Sequence, residues 1–469
     1  MSNGPINYRE ISAREPLEVS RKLQHYAHIA FLDSGKDPEG LGRYSYVAAD
    51  PFGVFSVIHG VAYWNGSALN EPPFEALRVI LNRYQRPAHT ELPPFQTGAI
   101  GFLSYEAARL IETVPGMVPP EEHMPDIEFG FYDVVFAHDH AENRSFILSS
   151  GHPEQSPAAR DKRADERMSW LLNVLDEPTL EETVNPAIDE WRFDMDRERF
   201  ETAVSGTIER ILNGDLFQAN LAQRFVTAIP NEFDPLGFYS NLRGMSPSTF
   251  GAYLSFGNVT LASNSPERFL TLKDRHIEAR PIKGTAPRGT TAKEDEKLAQ
   301  GLKESMKDRA ENTMIVDLLR NDLSRVAEPH SVKVPILCGL ETYASMHHLV
   351  SVVEATLAKT CDGVDLIKAA FPCGSISGAP KIKAMEVISD VEAVPRGVYC
   401  GSIGYIGVDG SIDLSVAIRT VTFTQLAAQF HAGGGITALS DPAAEYEETL
   451  VKAERIFRAF RLPFGEEDK

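Results

Sequence analysis

The feature that most restricts this chain is a series of turns, too short to hold a helix, between patterned strands. Residues 253–256 and 259–262 flank Gly257-Asn258, a two-residue turn of the kind that joins antiparallel neighbours, and Asn65-Gly66, Lys273-Asp274 and Asp409-Gly410 repeat the signal. Further strand patterns occupy 44–48, 53–59, 60–63 and 131–136, with helices expected at 73–84, 105–112 and 158–174. There is no strand–helix–strand alternation of the doubly wound kind and no internal repeat. The pattern predicts an α+β protein built on antiparallel sheet.

At 469 residues the chain exceeds what one core usually serves, which leaves two domains or one large, elaborated unit. Residues 1–150 read as a strand-rich N-terminal region, 151–195 as a polar, helical connection, 196–456 as the second region and 457–469 as a C-terminal tail. The second region opens with Asp196 as the N-cap of an amphipathic helix that Asn213-Gly214 stops. The 66 acidic against 46 basic residues, a formal charge of -20, argue against nucleic acid or an anionic membrane as the main partner. Cys338, Cys361, Cys373 and Cys400 are widely spaced, with no C-x-x-C pair, and read as reduced thiols. Met1-Ser2-Asn3-Gly4-Pro5 has no basic or apolar leader character and no apolar run approaches spanning length, so a cytoplasmic protein off the membrane is expected.

Ala279-Arg280-Pro281-Ile282-Lys283-Gly284-Thr285-Ala286-Pro287-Arg288 places a lysine where neither helix nor turn chemistry asks for one. Residues 275–282 alternate as a strand and Pro281 weakens further pairing, so the chain is expected to leave its sheet at Lys283. Gly284 permits close approach and the prolines stiffen the segment, which would present an amine at a strand end. The bland reading is a solvated lysine in a turn.

Two helices each carry acids three residues apart, Asp308 with Glu311 and Glu445 with Glu448, the latter with Lys452 one turn on. Facing pairs of this kind make an oxygen-ligand site suited to Mg²⁺. Ala432-Gly433-Gly434-Gly435-Ile436 follows a strand and offers amides to a carboxylate, and the segment from Ser375 to Lys381 opens a helix whose N-terminus favours negative charge. Even positions from 412 to 418 are apolar, which puts Asp413, Ser415 and Arg419 on the opposite face, where Arg419 could grip a carboxylate. Residues 217–225 alternate too, with Phe217, Ala219, Leu221 and Phe225 on one face and Gln218, Asn220 and Arg224 on the other. His347-His348 has one ring facing each way. Taken singly, each of these is equally an ordinary turn, cap or surface group.

Together they resemble one family. Gly214-Asp215-Leu216-Phe217-Gln218-Ala219-Asn220-Leu221, Ser265-Pro266-Glu267-Arg268-Phe269, Arg280-Pro281-Ile282-Lys283-Gly284-Thr285, Asp308-Arg309-Ala310-Glu311-Asn312, Ser377-Gly378-Ala379-Pro380-Lys381, Arg396-Gly397-Val398-Tyr399 and Glu445-Tyr446-Glu447-Glu448 stand in the order found in the chorismate-utilising enzymes. The resemblance implies an anthranilate-synthase-like fold of antiparallel sheets packed together and flanked by helices. It implies Mg²⁺ on Glu311 and Glu448, with Asp308 and Glu445 acting through water, and Glu267 as general acid/base. Arg419 and Tyr399 would hold the enolpyruvyl carboxylate of chorismate. The Gly433 and Gly435 amides and Lys452 would hold the ring carboxylate, with Thr285, His348 and Ser375 around the ring.

Two positions separate the branches of that family. Isochorismate and salicylate enzymes resemble this chain less, because they carry a lysine where Gln218 stands. Anthranilate synthases have alanine at Lys283; a lysine there, with Asn220, resembles the branch that makes 4-amino-4-deoxychorismate for 4-aminobenzoate and folate. The resemblance implies that Lys283 forms a covalent adduct and that ammonia displaces it. None of the four cysteines lies in a Gly-x-Cys-x-Gly setting, so ammonia is expected from a separate glutamine amidotransferase subunit. Phe31-Leu32-Asp33-Ser34 has aspartate where the family's feedback motif has glutamate, which argues against tryptophan control.

Overall fold

The computed structural model describes residues 6–35, 40–121, 124–178, 184–343 and 346–461. Its frame is two sheets of twelve strands, and every strand pair among the described residues is antiparallel. Strands from before residue 150 and after residue 190 share both sheets. In the first sheet Ile29–Asp33 pairs with Phe250–Phe256, and in the second Gly98–Leu103 pairs with Ser402–Gly407. Tyr46, Val135 and Leu254 of the first sheet and Ile100, Phe102 and Ile403 of the second form one buried cluster, so apolar faces meet between the sheets. The other faces are covered by helices: Pro157–Asp176, Pro235–Met245 and Pro442–Arg461 pack on the first sheet, and Pro73–Arg83, Met306–Ser324 and Gly363–Ala370 on the second. Phe457 and Phe460 lie in the last of the first set, so the helix continues past 456 as part of that core.

Local signals explain most boundaries. Asp196 accepts from the Arg199 amide at 2.8 Å to cap Arg197–Leu212, and Gly214, at φ +85°, ends it. The expected turn at Lys273-Asp274 lies one residue on, at Asp274-Arg275, both with positive φ, as a two-residue hairpin of this hand requires. The single strand expected at 131–136 is two, Ile127–Tyr132 and Val134–Asp139, parted at Asp133, whose buried carboxylate is held by Arg163 and Arg167 at 2.8 and 3.1 Å. The helix expected at 105–112 is a 3₁₀ segment, Tyr105–Leu110. All four cysteines are unpaired. Among the described residues no helix is long and apolar enough to cross a membrane. The start, residues 1–5, and most of the 457–469 tail lie outside the described residues.

The chain crosses between sheets at two places that matter below. Residues 266–267 link Val259–Ser265 of the first sheet to Arg268–Lys273 of the second, and residues 417–419 link Ile412–Val416 of the second to Thr420–Phe423 of the first. The crossings are tied to each other: Ser265 Oγ donates to the Val416 carbonyl at 2.6 Å, and the Val416 amide to the Glu267 carbonyl at 3.0 Å. Beside them a buried ion pair fixes the floor. Arg396 donates to both oxygens of Glu392 at 2.6 and 2.8 Å and to the Asn220 carbonyl, while Glu392 also accepts from the Ala222 amide at 2.8 Å. Removing one member strands the other in the core, so Glu392→Ala is expected to lose roughly 3–5 kcal/mol of stability, measured by denaturant unfolding, whereas breaking the solvent-accessible Arg197–Glu201 pair with Glu201→Ala should lose under about 1 kcal/mol.

Candidate active site

Lys283 lies inside a strand, not at its end. Ile282–Pro287 pairs with Met346–Thr356, but the register slips between Ile282↔Val350 and Thr285↔His348, three residues against two. Lys283 and Gly284 therefore form a bulge, a device that re-aims a side chain next to a site. Pro281 ends the His276–Ala279 strand; the bulge then absorbs the extra residue and the ladder resumes on the same neighbour. Gly284 is required there: its φ is +84°, and a Cβ would stand 2.9 Å from that of Asp308.

The floor below Lys283 is made by Gln218–Ala228 and Ala427–Ile436, paired along their length. The glycine run lies within the second of these strands, not after it. Gly435 leaves room for two side chains, since a Cβ on it would stand 2.0 Å from Gln218 Nε2 and 3.5 Å from Lys283 Nζ. Pairing with Thr420–Phe423 stops at Phe430, and the Gly433 carbonyl turns to accept from Lys452 Nζ at 2.9 Å. Gln218 and Asn220 are buried, so the polar face of their strand looks into this region, and Phe217, expected on the apolar face, precedes the strand and is 70% exposed.

Glu267 comes from the first crossing. Its Oε1 accepts from Ser375 Oγ at 2.6 Å and from the Ile282 amide at 3.4 Å, and Cys373 Sγ lies 3.2 Å from the same serine oxygen. Burial raises the Glu267 carboxyl above its ordinary range, against Ser375, Lys283 and the Ile282 amide. Burial lowers the Lys283 ammonium, with Lys452 pushing the same way and Glu311 and Glu267 opposing. An acid pushed up and an amine pushed down are thus coupled to each other electrostatically, the pattern expected of a proton donor and a nucleophilic amine in one site.

Asp308 and Glu445 stand in the first turns of Met306–Ser324 and Pro442–Arg461, where the helix dipole favours negative charge, and Glu311 and Glu448 follow one turn on. Burial raises Glu311, with Asp308 and Glu445 pushing further and Lys283 and Lys307 opposing. Glu445, which accepts from Ser440 Oγ at 2.7 Å, is raised by burial and by Glu448. At Glu448, burial is outweighed by Lys452, 2.6 Å away, and by Lys307 and Lys283, so its carboxyl is lowered. The four carboxylates thus feel one another across the two helices. Among the described residues, however, no three of them converge closely enough to hold a metal ion as they stand.

Arg419 is not on the strand with Asp413 and Ser415. It sits in the second crossing with φ +51°, and its guanidinium makes no hydrogen bond or ion pair among the described residues. Burial and Arg455 push it down to about 10. Asp413 instead pairs with Arg268 at 2.9 Å. His348 meets Thr285 Oγ1 at 3.0 Å and is pushed down to about 4 by burial and by Arg419, so its ring is neutral. His347 points the other way, to Asp295 and Thr342, each at 2.9 Å. Tyr399 makes no hydrogen bond to any of the other candidates; it stacks on His431 at 5.1 Å between ring centres.

Comparison with known proteins places this arrangement. The family model described as chorismate binding enzyme matches residues 29–458. The chain belongs to the chorismate binding enzyme family. Aminodeoxychorismate synthase component 1 of Escherichia coli (strain K12) is 36% identical over 93% of this chain and 94% of its own length. Anthranilate synthase component 1 of Aquifex aeolicus (strain VF5) is 33% identical over 96% of this chain and 93% of its own. The solved structure of anthranilate synthase component I from Streptococcus pneumoniae TIGR4 superposes with a TM-score of 0.78 at 33% identity, covering 90% of this chain and 93% of that one. The anthranilate-synthase-like α+β fold expected from sequence is the fold found.

For a member of this family, the remaining surprises are local. Cys373 and His431 were not singled out by sequence; Cys373 stands two residues before Ser375, which was the available signal, while nothing in the pattern marked His431. Asn312, matched in the motifs, forms a strut with Ser351: Ser351 Oγ donates to Asn312, which donates to the Leu349 carbonyl at 3.1 Å. Lys381 is held by Asp322 at 2.7 Å and is not free for a ligand. A separate cavity of about 340 Å³, between the sheets, is lined by Asp33, Tyr44, Tyr46, Arg268, Tyr405 and Asp413; Asp33 itself is engaged by Tyr239 at 3.1 Å and by Arg243.

The depressed Lys283 has a consequence for stability. Unfolded chain, with lysine near 10.4, binds the proton more tightly than the folded state, so stability contributed at this site rises with pH from the folded value up to about 10.4. Lys283→Met keeps the bulk and removes the partly desolvated charge. Chemical denaturation at pH 7 should find it more stable than the wild type, with the gap closing as pH approaches about 10.

Proposed function

We propose that this chain converts chorismate and ammonia to 4-amino-4-deoxychorismate, with Lys283 as nucleophile. The observation that carries the reading is the bulge that sets a partly exposed, desolvated and down-shifted amine in electrostatic reach of a buried, up-shifted Glu267. Free lysine is neutral only about once in a few thousand molecules at pH 7, so burial of this kind is what nucleophilic use requires. The amine adds at ring C2, the double bond shifts and the C4 hydroxyl leaves as water with the proton of Glu267. The adduct amine gives its proton to Glu267; ammonia adds at C4, and as the shift reverses Glu267 returns that proton to the amine, so that Lys283 leaves neutral, and takes up the proton that the new C4 ammonium sheds. Ser375 holds the Glu267 carboxyl in place throughout.

Chorismate carries two carboxylates, and the site offers cations for both. Arg419, whose guanidinium has no hydrogen-bond or ion-pair partner among the described residues, suits the enolpyruvyl carboxylate together with Tyr399; Lys452 and the amides of Gly433 and Gly435 suit the ring carboxylate, with Thr285 and His348 beside the ring. The acid helices fit Mg²⁺ in their donor chemistry: Glu311 and Glu448 would hold it, with Asp308 and Glu445 through water, and when bound it supplies charge for a substrate carboxylate. The name component 1 of the Escherichia coli relative supports a second component, and a separate glutamine amidotransferase that delivers ammonia in the cytoplasm is the partner proposed here.

Anthranilate synthase is the second reading, favoured by the relatives of that name. Product identity separates the two. With chorismate, Mg²⁺ and an ammonium salt, the wild type should release 4-amino-4-deoxychorismate, and Lys283→Ala should lower that rate by orders of magnitude, with at most a trace of anthranilate. Anthranilate as the main wild-type product, or an alanine variant near the wild-type rate, would overturn the proposal.

A further inference from the structure

Behind Glu267 the site holds a thiol with no assigned part. Cys373 and Ser375 are each 4% exposed, and their sulfur and oxygen lie 3.2 Å apart, while the serine oxygen lies 2.6 Å from Glu267 Oε1. Each hydroxyl and thiol has one proton to place. With Glu267 ionised, the serine proton must point at the carboxylate, which leaves the serine lone pairs turned toward Cys373. We propose that Cys373 is a positioning residue whose S–H donates to Ser375 Oγ, forming a Cys373–Ser375–Glu267 chain that keeps the serine proton on the carboxylate and so tunes how readily Glu267 gives up and regains its own.

This rests on the reading of Glu267 as the acid/base. Hydrogen bonds in a chain polarise one another, so a donor to Ser375 makes the serine a better donor to Glu267. When Glu267 carries its proton the chain can run the other way, with the carboxyl donating to Ser375 and Ser375 to sulfur. Sulfur is a weak partner in either direction, but only in the ionised state does the chain end on a charge, so the ionised state gains more. The thiol stays protonated for this purpose, since burial and Glu267 push it up to about 12. The other charged groups at hand are accounted for: Lys283 faces Glu267 from the 282–287 strand, and Lys381, near Cys373, is tied to Asp322 and to the Ala370 carbonyl, both at 2.7 Å.

The test compares full-length wild type, Cys373→Ala and Cys373→Ser, following the infrared carboxyl band that Glu267→Gln removes through a pH titration, beside kcat and KM with ammonium. Cys373→Ala should raise the midpoint of that band by about half a pH unit, roughly a threefold change in the ionisation equilibrium, and move the matching limb of the kcat profile with KM for chorismate unchanged. Cys373→Ser, with a stronger donor, should hold the midpoint at or below the wild-type value. An unmoved midpoint in the alanine variant, or a serine variant shifted as far as alanine, overturns the proposal. If Glu267→Gln turns over chorismate like the wild type, the acid/base reading falls by itself, and the infrared midpoints still decide whether Cys373 acts on Glu267.

Discussion

The partial withdrawal of the Lys283 ammonium from water, opposed by the charges of Glu311 and Glu267, is the interaction on which this site depends. Alone, a lysine at a buried strand position would lose its proton or drive the strand open. Here two carboxylates restrain the shift without cancelling it, and their own shifts are restrained in return. The scaffold serves that balance. A bulge and a positive-φ glycine aim the side chain, Gly435 keeps the floor clear for it and for Gln218, and two helices bring acids by their first two turns.

Placing the chemistry at sheet crossings has a physical logic. A strand interior must satisfy its ladder, whereas a crossing can turn a side chain toward the gap between elements. Glu267 and Arg419 each stand in such a crossing, and serine and backbone bonds between the crossings lock their spacing. The buried Glu392–Arg396 pair fixes the strand that carries Gln218 and Asn220 in the same way. Against an overall charge of -20, Arg419, which has no hydrogen-bond or ion-pair partner among the described residues, and the lysines around the acids make a local exception suited to a small anion.

Much of this was legible because it obeys short-range rules. Helical spacing was enough to put Asp308 with Glu311 and Glu445 with Glu448, and two-residue turns were enough to predict antiparallel sheet. Where partners came from far along the chain, local reasoning failed. Pro281 reads as the end of a strand, and only the distant Met346–Thr356 neighbour shows that pairing resumes after a bulge. Even-numbered apolar residues carried the strand pattern through Ile418, but the strand ends at Val416, where the sheet change begins, so Arg419 was assigned to the wrong element. The contact of Cys373 with Ser375 is a fact of packing that spacing alone does not express.

The central claim is that Lys283 becomes covalently bound to the substrate, and mass measurement on the intact protein addresses it directly. Wild-type protein mixed with chorismate and Mg²⁺, without ammonia, and quenched should show a population heavier by chorismate less water, mapping to the peptide that contains Lys283. Turnover to 4-amino-4-deoxychorismate on adding ammonia, with no such population at any quench time and none after chemical trapping, would contradict the account.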